Sequence, residues 1–390
     1  MEDAIRMSID LASENGHVDM VEWWFASPNE PTEKKYSEHA IDAASVNCHI
    51  DMVEWWFTSL DAPAVKKYSK FAIDFTSANG HIDMVEWWFT SPNAPTKKKY
   101  TEQAINMASR NGHVNMVEWW FTSPNAPSEK KYLNWAIDVA SANGQVDMVE
   151  WWFTSPNAPA EKKYSKYAID SASENGHVDM VEWWFTSPNA PASTSAKKYS
   201  SCAIDWASEN GHIDMVKWWF TSPNAPSEKK YSSYAIDRAS ENGYIDMVEW
   251  WFVSSNAPLE KKYSKWAIDY ASANGHINMV NWWFTSPNAP SEKKYSKWAI
   301  DYASSFGHFD MVKWWFTSPD SPFRRAELRI FVGEFTCLIC KEHFSSGDHH
   351  RCSFSAEPHC ICKQCMISWK ACQPRLAVQC PYCMQPMEED

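Results

Sequence analysis

Positive charge is in short supply in this chain. Among 390 residues, 36 are Lys or Arg and 49 are Asp or Glu, for a net charge of -13. The deficit is local: residues 323–390 hold eight side chains of each sign, so residues 1–322 carry 28 basic against 41 acidic ones. That balance argues against general nucleic-acid binding, because a duplex is itself a dense line of negative charge. Cysteine is equally scarce over the same stretch, with only Cys48 and Cys202 before Cys337, whereas nine fall between Cys337 and Cys383. The amino terminus, MEDAIRMSID, has no basic segment followed by an apolar one, and no run approaches the ~18 apolar residues of a membrane span. We therefore expect a soluble, intracellular protein, cytoplasmic or nuclear, with no membrane partner. In a reducing compartment its thiols stay free to bind metal.

What the chain has in abundance is itself. The stretch from Trp266 to Tyr295, WAIDYASANGHINMVNWWFTSPNAPSEKKY, recurs with few changes, and the slot filled by Gly275 recurs at Gly16, Cys48, Gly80, Gly112, Gly144, Gly176, Gly211, Gly243 and Gly307. These are ten copies with a period of 32, except for 35 between Gly176 and Gly211, where Ala-Ser-Thr-Ser-Ala stands before the lysines. A unit this short cannot bury its apolar face alone, so neighbouring copies must supply each other's core. The extra residues are best absorbed in a surface loop.

Within a copy, Ser264 is placed to cap a helix running to about Asn274, and Gly275 suits the left-handed position that ends it. A second helix follows, with Ile277, Val280, Trp283 and Phe284 on one stripe that Met279 and Trp282 widen. Ser-Pro-Asn-Ala-Pro then stops it, since proline lacks the donor. Twenty of the 25 tryptophans are the Trp-Trp pair of this second helix. Adjacent helical positions point roughly 100° apart, so both indoles are buried only if the helix is sandwiched between neighbours; we read them as core rather than as a ligand box.

NGHINMVNWWF resembles the ankyrin stretch in which Asn-Gly-His precedes a helix of the pattern apolar-x-x-Val-x-apolar-apolar-apolar. The likeness covers residues 1–320. Trp266-Ala267-Ile268-Asp269 replaces the family's Thr-Pro-Leu-His, and PNAPSEKKY replaces its long hairpin. The resemblance implies a mainly α fold: an ankyrin-like helical-repeat solenoid of ten copies of about 32 residues with reduced loops.

The period also aligns polar columns. Asp10, Asp42, Asp74, Asp138, Asp170, Asp205, Asp237, Asp269 and Asp301 form one, with Asn106 in the remaining slot. We expect these carboxylates to accept from backbone N–H groups of an adjacent loop. Lysine pairs such as Lys229-Lys230, Lys261-Lys262 and Lys293-Lys294 read as a solvated rim. The column His17, His49, His81, His113, His177, His212, His276 and His308 admits Gln145 and Tyr244, so a hydrogen bond at the inter-helix turn explains it better than a metal.

Variation concentrates in two slots four residues apart, hence on one helical face. Their aromatic or cationic occupants are Phe71, Phe75, Trp135, Tyr167, Trp206, Tyr234, Arg238, Trp266, Tyr270, Trp298 and Tyr302. By the ankyrin resemblance, the first-helix face lines a concave partner surface, so this stripe is a candidate surface for an unknown substrate protein. Semi-buried stacking positions are the other reading, and both stay open.

After residue 320 the repeat stops. FRRAELRIFVGEF suggests a capping or linking helix within 321–335, and composition then changes over 336–390. Three CxxC pairs, Cys337/Cys340, Cys362/Cys365 and Cys380/Cys383, stand with Cys352 and His359. Thiolates and a neutral imidazole in groups of four suit tetrahedral zinc, and a two-residue spacer lets both sulfurs of a pair reach one ion. The order Cys-Cys-Cys-His-Cys-Cys-Cys-Cys resembles the RING finger of ubiquitin ligases, a small zinc-bound α+β module. That resemblance implies a cross-brace: Cys337, Cys340, Cys362 and Cys365 on one structural Zn2+, and Cys352, His359, Cys380 and Cys383 on a second. His350 competes with His359, because the six residues between Cys352 and His359 exceed the usual interval. The resemblance also implies that Ile339, Trp369 and Pro381 contact a ubiquitin-conjugating enzyme (E2), while Met384 stands where the family usually carries a linchpin arginine. The expected function is ubiquitin transfer by a RING-type E3, with a non-enzymatic repeat scaffold carrying a structural zinc module as the alternative.

Overall fold

A computed structural model describes residues 2–26, 35–191 and 198–322, together with short strands at 335–336, 343–344, 349–351 and 360–362. Among the described residues, twenty helices run from Glu2–Glu14 to Phe309–Thr317, two per copy, and form a repeated helical array. They fall into two compact units: Met1–Ile236 with Ser254–Lys262, and Asp237–Val253 with Tyr263–Asp390.

The ninth copy shows how one unit of sequence becomes structure. Its first helix spans Trp266–Ala273 and its second Ile277–Thr285. The Trp266 N–H donates to Ser264 Oγ at 3.2 Å, so the serine caps the first helix as its position requires. Gly275 takes φ +75°, the left-handed conformation that ends a helix without a Cβ penalty. Cys48 holds the same conformation at φ 61° without being glycine. The second helix ends where Ser286 turns extended at φ -66°, ψ 132°. The loops between copies carry no strand among the described residues.

First helices of successive copies pack closely through a small-residue face, Ala-Ile-x-x-Ala, as Ala40, Ile41 and Ala44 illustrate; all three are fully buried. Second helices supply Met52, Val53, Trp55 and Trp56 and their counterparts. The buried face differs from the expected stripe: Met279, Val280, Trp282 and Trp283 are buried, while Ile277 and Phe284 are only half-buried. The sandwiched position of the helix makes this possible, since partners lie on more than one side of it. The second indole of the pair is the largest fully buried side chain of its copy, as at Trp56, Trp88 and Trp283. Truncating such a residue costs roughly 3–5 kcal/mol in ordinary cores.

Near the carboxy terminus, Phe335–Thr336 pairs antiparallel with His343–Phe344, and His349–Arg351 with Cys360–Cys362. Residues 323–334, where a linking helix is expected, lie outside the described residues, and Phe335 is in a strand.

Candidate functional site

Side-chain ties between copies hold the array in register, and the Asp column is the most regular of them. Oδ1 of Asp269 accepts from the Ser296 N–H at 2.8 Å and Oδ2 from the Ser296 hydroxyl at 2.6 Å. Equivalent pairs are Asp10–Ser37, Asp42–Ser69, Asp74–Thr101, Asp138–Ser165, Asp170–Ser200, Asp205–Ser232 and Asp237–Ser264. Eight of the nine column carboxylates thus accept from the backbone N–H of the adjacent loop, as expected. Burial raises the pKa of Asp42, Asp74, Asp138, Asp170, Asp205 and Asp269, and the serine or threonine bonds oppose it.

Three further ties accompany them. Buried indole N–H groups donate to a serine hydroxyl in the preceding copy, as Trp88 does to Ser45 at 3.2 Å and Trp184 to Ser141 at 2.8 Å. Asparagine Nδ2 atoms reach a carbonyl of the preceding first helix, as Asn111 does to Ala78 at 2.7 Å. Six of the eight column histidines pack over the glycine of the copy before: Nδ1 of His308 lies 2.6 Å from where a Cβ on Gly275 would stand. The glycine is thus required twice, for its φ and for the imidazole above it.

The lysine pairs are less free than a solvated rim. The first lysine is half-buried and closes its own loop, as Lys130 Nζ does on the Pro127 carbonyl at 2.7 Å, and burial lowers its pKa. The second is exposed but reaches back one copy: Lys99 Nζ donates to the Tyr68 carbonyl at 2.6 Å and sits 4.1 Å from the centre of that ring. Repetition alone could not show this, because the partners lie in a different copy.

The variable slots are solvent-facing to different degrees. Phe71, Phe75, Tyr167, Tyr234 and Trp298 are exposed, whereas Trp135, Trp206, Arg238, Trp266, Tyr270 and Tyr302 are half-buried. Rings within a copy stack face to face: Phe71 on Phe75 at 4.9 Å, Trp266 on Tyr270 at 4.8 Å, and Trp298 on Tyr302 at 5.0 Å. In the carboxy-terminal unit the stacks join, since Tyr270 and Tyr302 lie 6.4 Å apart with planes 23° from parallel, and Tyr302 continues onto Phe306, 64% exposed. Lysines just before the aromatic slot lie over its ring, Lys265 over Trp266 at 4.8 Å and Lys297 over Trp298 at 5.0 Å. Arg238 lies over Tyr270 at 5.8 Å and pairs with Glu241. The sequence reading missed these lysines and Phe306, although a lysine directly before the variable aromatic was the available signal.

Of the expected metal and E2-binding residues, Cys337, Ile339, Cys340, Cys352, His359, Cys365, Trp369, Cys380, Pro381 and Cys383 lie outside the described residues. Cys362 is described only as backbone, in strand register with His349. Among the described residues no His, Cys, Asp and Glu cluster could hold a metal, and no helix is long and apolar enough to cross a membrane. Compared with known proteins, the chain matches no family model and no curated protein.

Proposed function

We propose that this chain is a RING-type E3 ubiquitin ligase in which an ankyrin-type array selects the substrate protein and the carboxy-terminal module recruits a ubiquitin-charged conjugating enzyme. The observation that carries this reading is the ligand order over Cys337–Cys383, three CxxC pairs enclosing a Cys and a His. Seven thiolates and one imidazole fit two zinc ions, and four protein ligands at each leave no open position, so the metal is structural. The array's part is supported by its copy-to-copy variable slots, exposed or half-buried, on an otherwise uniform scaffold.

The chemistry needs no covalent bond to this protein. A substrate lysine amine attacks the thioester that joins ubiquitin to the conjugating enzyme; an amide forms, the thiolate leaves and the amine gives up a proton. This chain contributes proximity and orientation. Ile339, Trp369 and Pro381 would form the apolar contact with the conjugating enzyme.

The test is an in vitro ubiquitination assay of the full chain with a panel of conjugating enzymes. Self-ubiquitination that depends on both zinc and Ile339 with Trp369 is expected; activity unchanged in the Ile339→Ala/Trp369→Ala variant would sink the mechanism. Met384 favours a second reading, a repeat scaffold whose zinc module serves only binding, because it supplies no cation where the family's linchpin arginine would be. Folded, zinc-loaded protein that transfers no ubiquitin with any enzyme of the panel would support that reading.

A further inference from the structure

The ring ladder of the carboxy-terminal unit has an unusual electrostatic character. Each stack occupies ring faces: Lys265 and Tyr270 both lie over the Trp266 ring, and Tyr302 stacks with Trp298, Tyr270 and Phe306. With faces covered, what solvent meets is largely ring edge, and the edge of an aromatic quadrupole is its positive part. The ammonium groups add charge, because Lys265 and Lys297 are exposed and neither is within 4 Å of a carboxylate oxygen among the described residues, although Lys265 is near enough to the buried Asp269 to act on its carboxylate. The variable slots of other copies repeat parts of this arrangement, as with Lys70 over Phe71, itself stacked on Phe75, or Lys166 over Tyr167. In a chain of net charge -13, a run of stacked rings flanked by exposed ammonium groups stands out.

We propose that Lys265, Trp266, Tyr270, Lys297, Trp298 and Tyr302 form a docking face for an acidic peptide segment of a partner protein. Charge complementarity selects the occupant. Carboxylates meet both the lysines and the ring edges, and apolar side chains between them cover the exposed ring surface. A single-stranded nucleic acid is also anionic, but it needs free ring faces on which to stack its bases, and the faces of Trp266, Tyr270 and Tyr302 are engaged by Lys265, Arg238 and neighbouring rings. The inference rests on the proposed substrate-selecting role of the array and names the chemistry of what that array reads.

The probe is a fluorescein-labelled dodecapeptide of alternating glutamate and leucine, titrated against the full chain by fluorescence anisotropy. Saturable binding is expected, weakened at least about tenfold in Lys265→Glu/Lys297→Glu, where attraction becomes repulsion, and also weakened in Trp298→Ala. A Lys217→Glu/Lys313→Glu control, with the same charge change on second helices, should bind as the wild type does. Circular dichroism checks that each variant is folded, and Lys265→Gln/Lys297→Gln should give an intermediate loss. Failure of the peptide to bind, equal loss in the control, or tighter binding of a twelve-residue oligothymidylate at the same residues would overturn the proposal. Self-ubiquitination measured on the same variants separates the two ideas: it should persist when peptide binding is lost, whereas intact peptide binding without any transfer would count against the ligase reading alone.

Discussion

The backbone N–H of Leu133 donates to Oδ1 of Asn106 at 3.1 Å, while Nδ2 of the same buried amide has no partner among the described residues. At this junction Asn replaces the Asp of the column and Leu replaces the serine that meets it. The two changes belong together. A carboxylate opposite Leu133 would have lost its hydroxyl donor, and an amide at least carries no charge into that site. Ser109 Oγ and Trp152 Nε1, the equivalents of a bonded pair elsewhere, are unpartnered here as well. We read the junction between the fourth and fifth copies as the least well tied one described.

Leu133→Ser is therefore expected to stabilise the protein. The new hydroxyl can accept from Asn106 Nδ2 and cap the helix that begins at Ala136, for about 1 kcal/mol. Asn106→Asp alone should destabilise, and the double variant should recover the Asp–Ser tie. Urea unfolding midpoints of the four proteins test this; a Leu133→Ser midpoint at or below that of the wild type would contradict it.

Asp269→Ala removes both acceptors of Ser296 and leaves a part-buried N–H and hydroxyl without them. A loss of roughly 1–3 kcal/mol is expected, with Asp269→Asn milder because Oδ1 survives. Thermal melting is sufficient to rank the three proteins, and an unchanged Asp269→Ala would remove the carboxylate from any structural role.

Two glycines separate strain from crowding. Both Gly275 and Gly307 have positive φ, +75° and +79°, but among the described residues an imidazole stands above Gly275 and nothing lies within 4 Å of a Cβ on Gly307. Gly307→Ala should cost about 1–2 kcal/mol for the left-handed backbone. Gly275→Ala should cost more, because overpacking adds roughly 1–3 kcal/mol. Equal losses in denaturant melts would show that the His308 contact carries no energy.

The histidine column gives the array an acid-side weakness. Burial lowers the pKa of His113, His177 and His276, and a neighbouring histidine adds to the shift: His81, His212 and His308 respectively. A lowered folded pKa means that the neutral ring belongs to the fold. Its contribution is complete above the unfolded value near 6.5 and is lost as pH falls through the lower folded value. The raised carboxylates run the opposite way, favouring the folded state more as pH falls toward their own range. The histidines should therefore cost stability as pH falls below about 6.5, against the opposing carboxylates, and His177→Gln, which copies Gln145, should flatten that slope. A wild-type slope retained in His177→Gln would assign it to other groups.

Zinc is expected at two ions per chain, countable by elemental analysis of the purified protein. Chelation should abolish ubiquitin transfer while leaving most of the far-ultraviolet helical signal, since that signal comes chiefly from the twenty helices, whose described residues hold no metal cluster. A count of zero or a collapse of the helical signal would contradict this assignment.

The parts of the fold that depend on local chemistry were readable in the letters. Gly275 announces a left-handed turn, Ser264 a helix start, and the period announces that Asp269 meets something one copy away. The partners themselves were not readable. That Lys99 reaches the Tyr68 carbonyl, or that His308 covers Gly275, depends on the register between copies, which repetition leaves open. The ring ladder was half visible: Trp266 and Tyr270 fall on one face by spacing, but their stacking with Tyr302 and the lysines over their outer rings are properties of packing.

The ties described within each unit consistently join one half supplied by one copy to a half supplied by the next. The length of such an array is consequently inherited in whole steps. Removing or adding a complete copy regenerates a joint of a kind already present, whereas a change of a few residues breaks several at once. Deleting residues 107–138 would set Asn106 opposite Ser165, a hydroxyl that can serve its stranded amide. A lineage carrying this chain could therefore lose its weakest joint by becoming shorter.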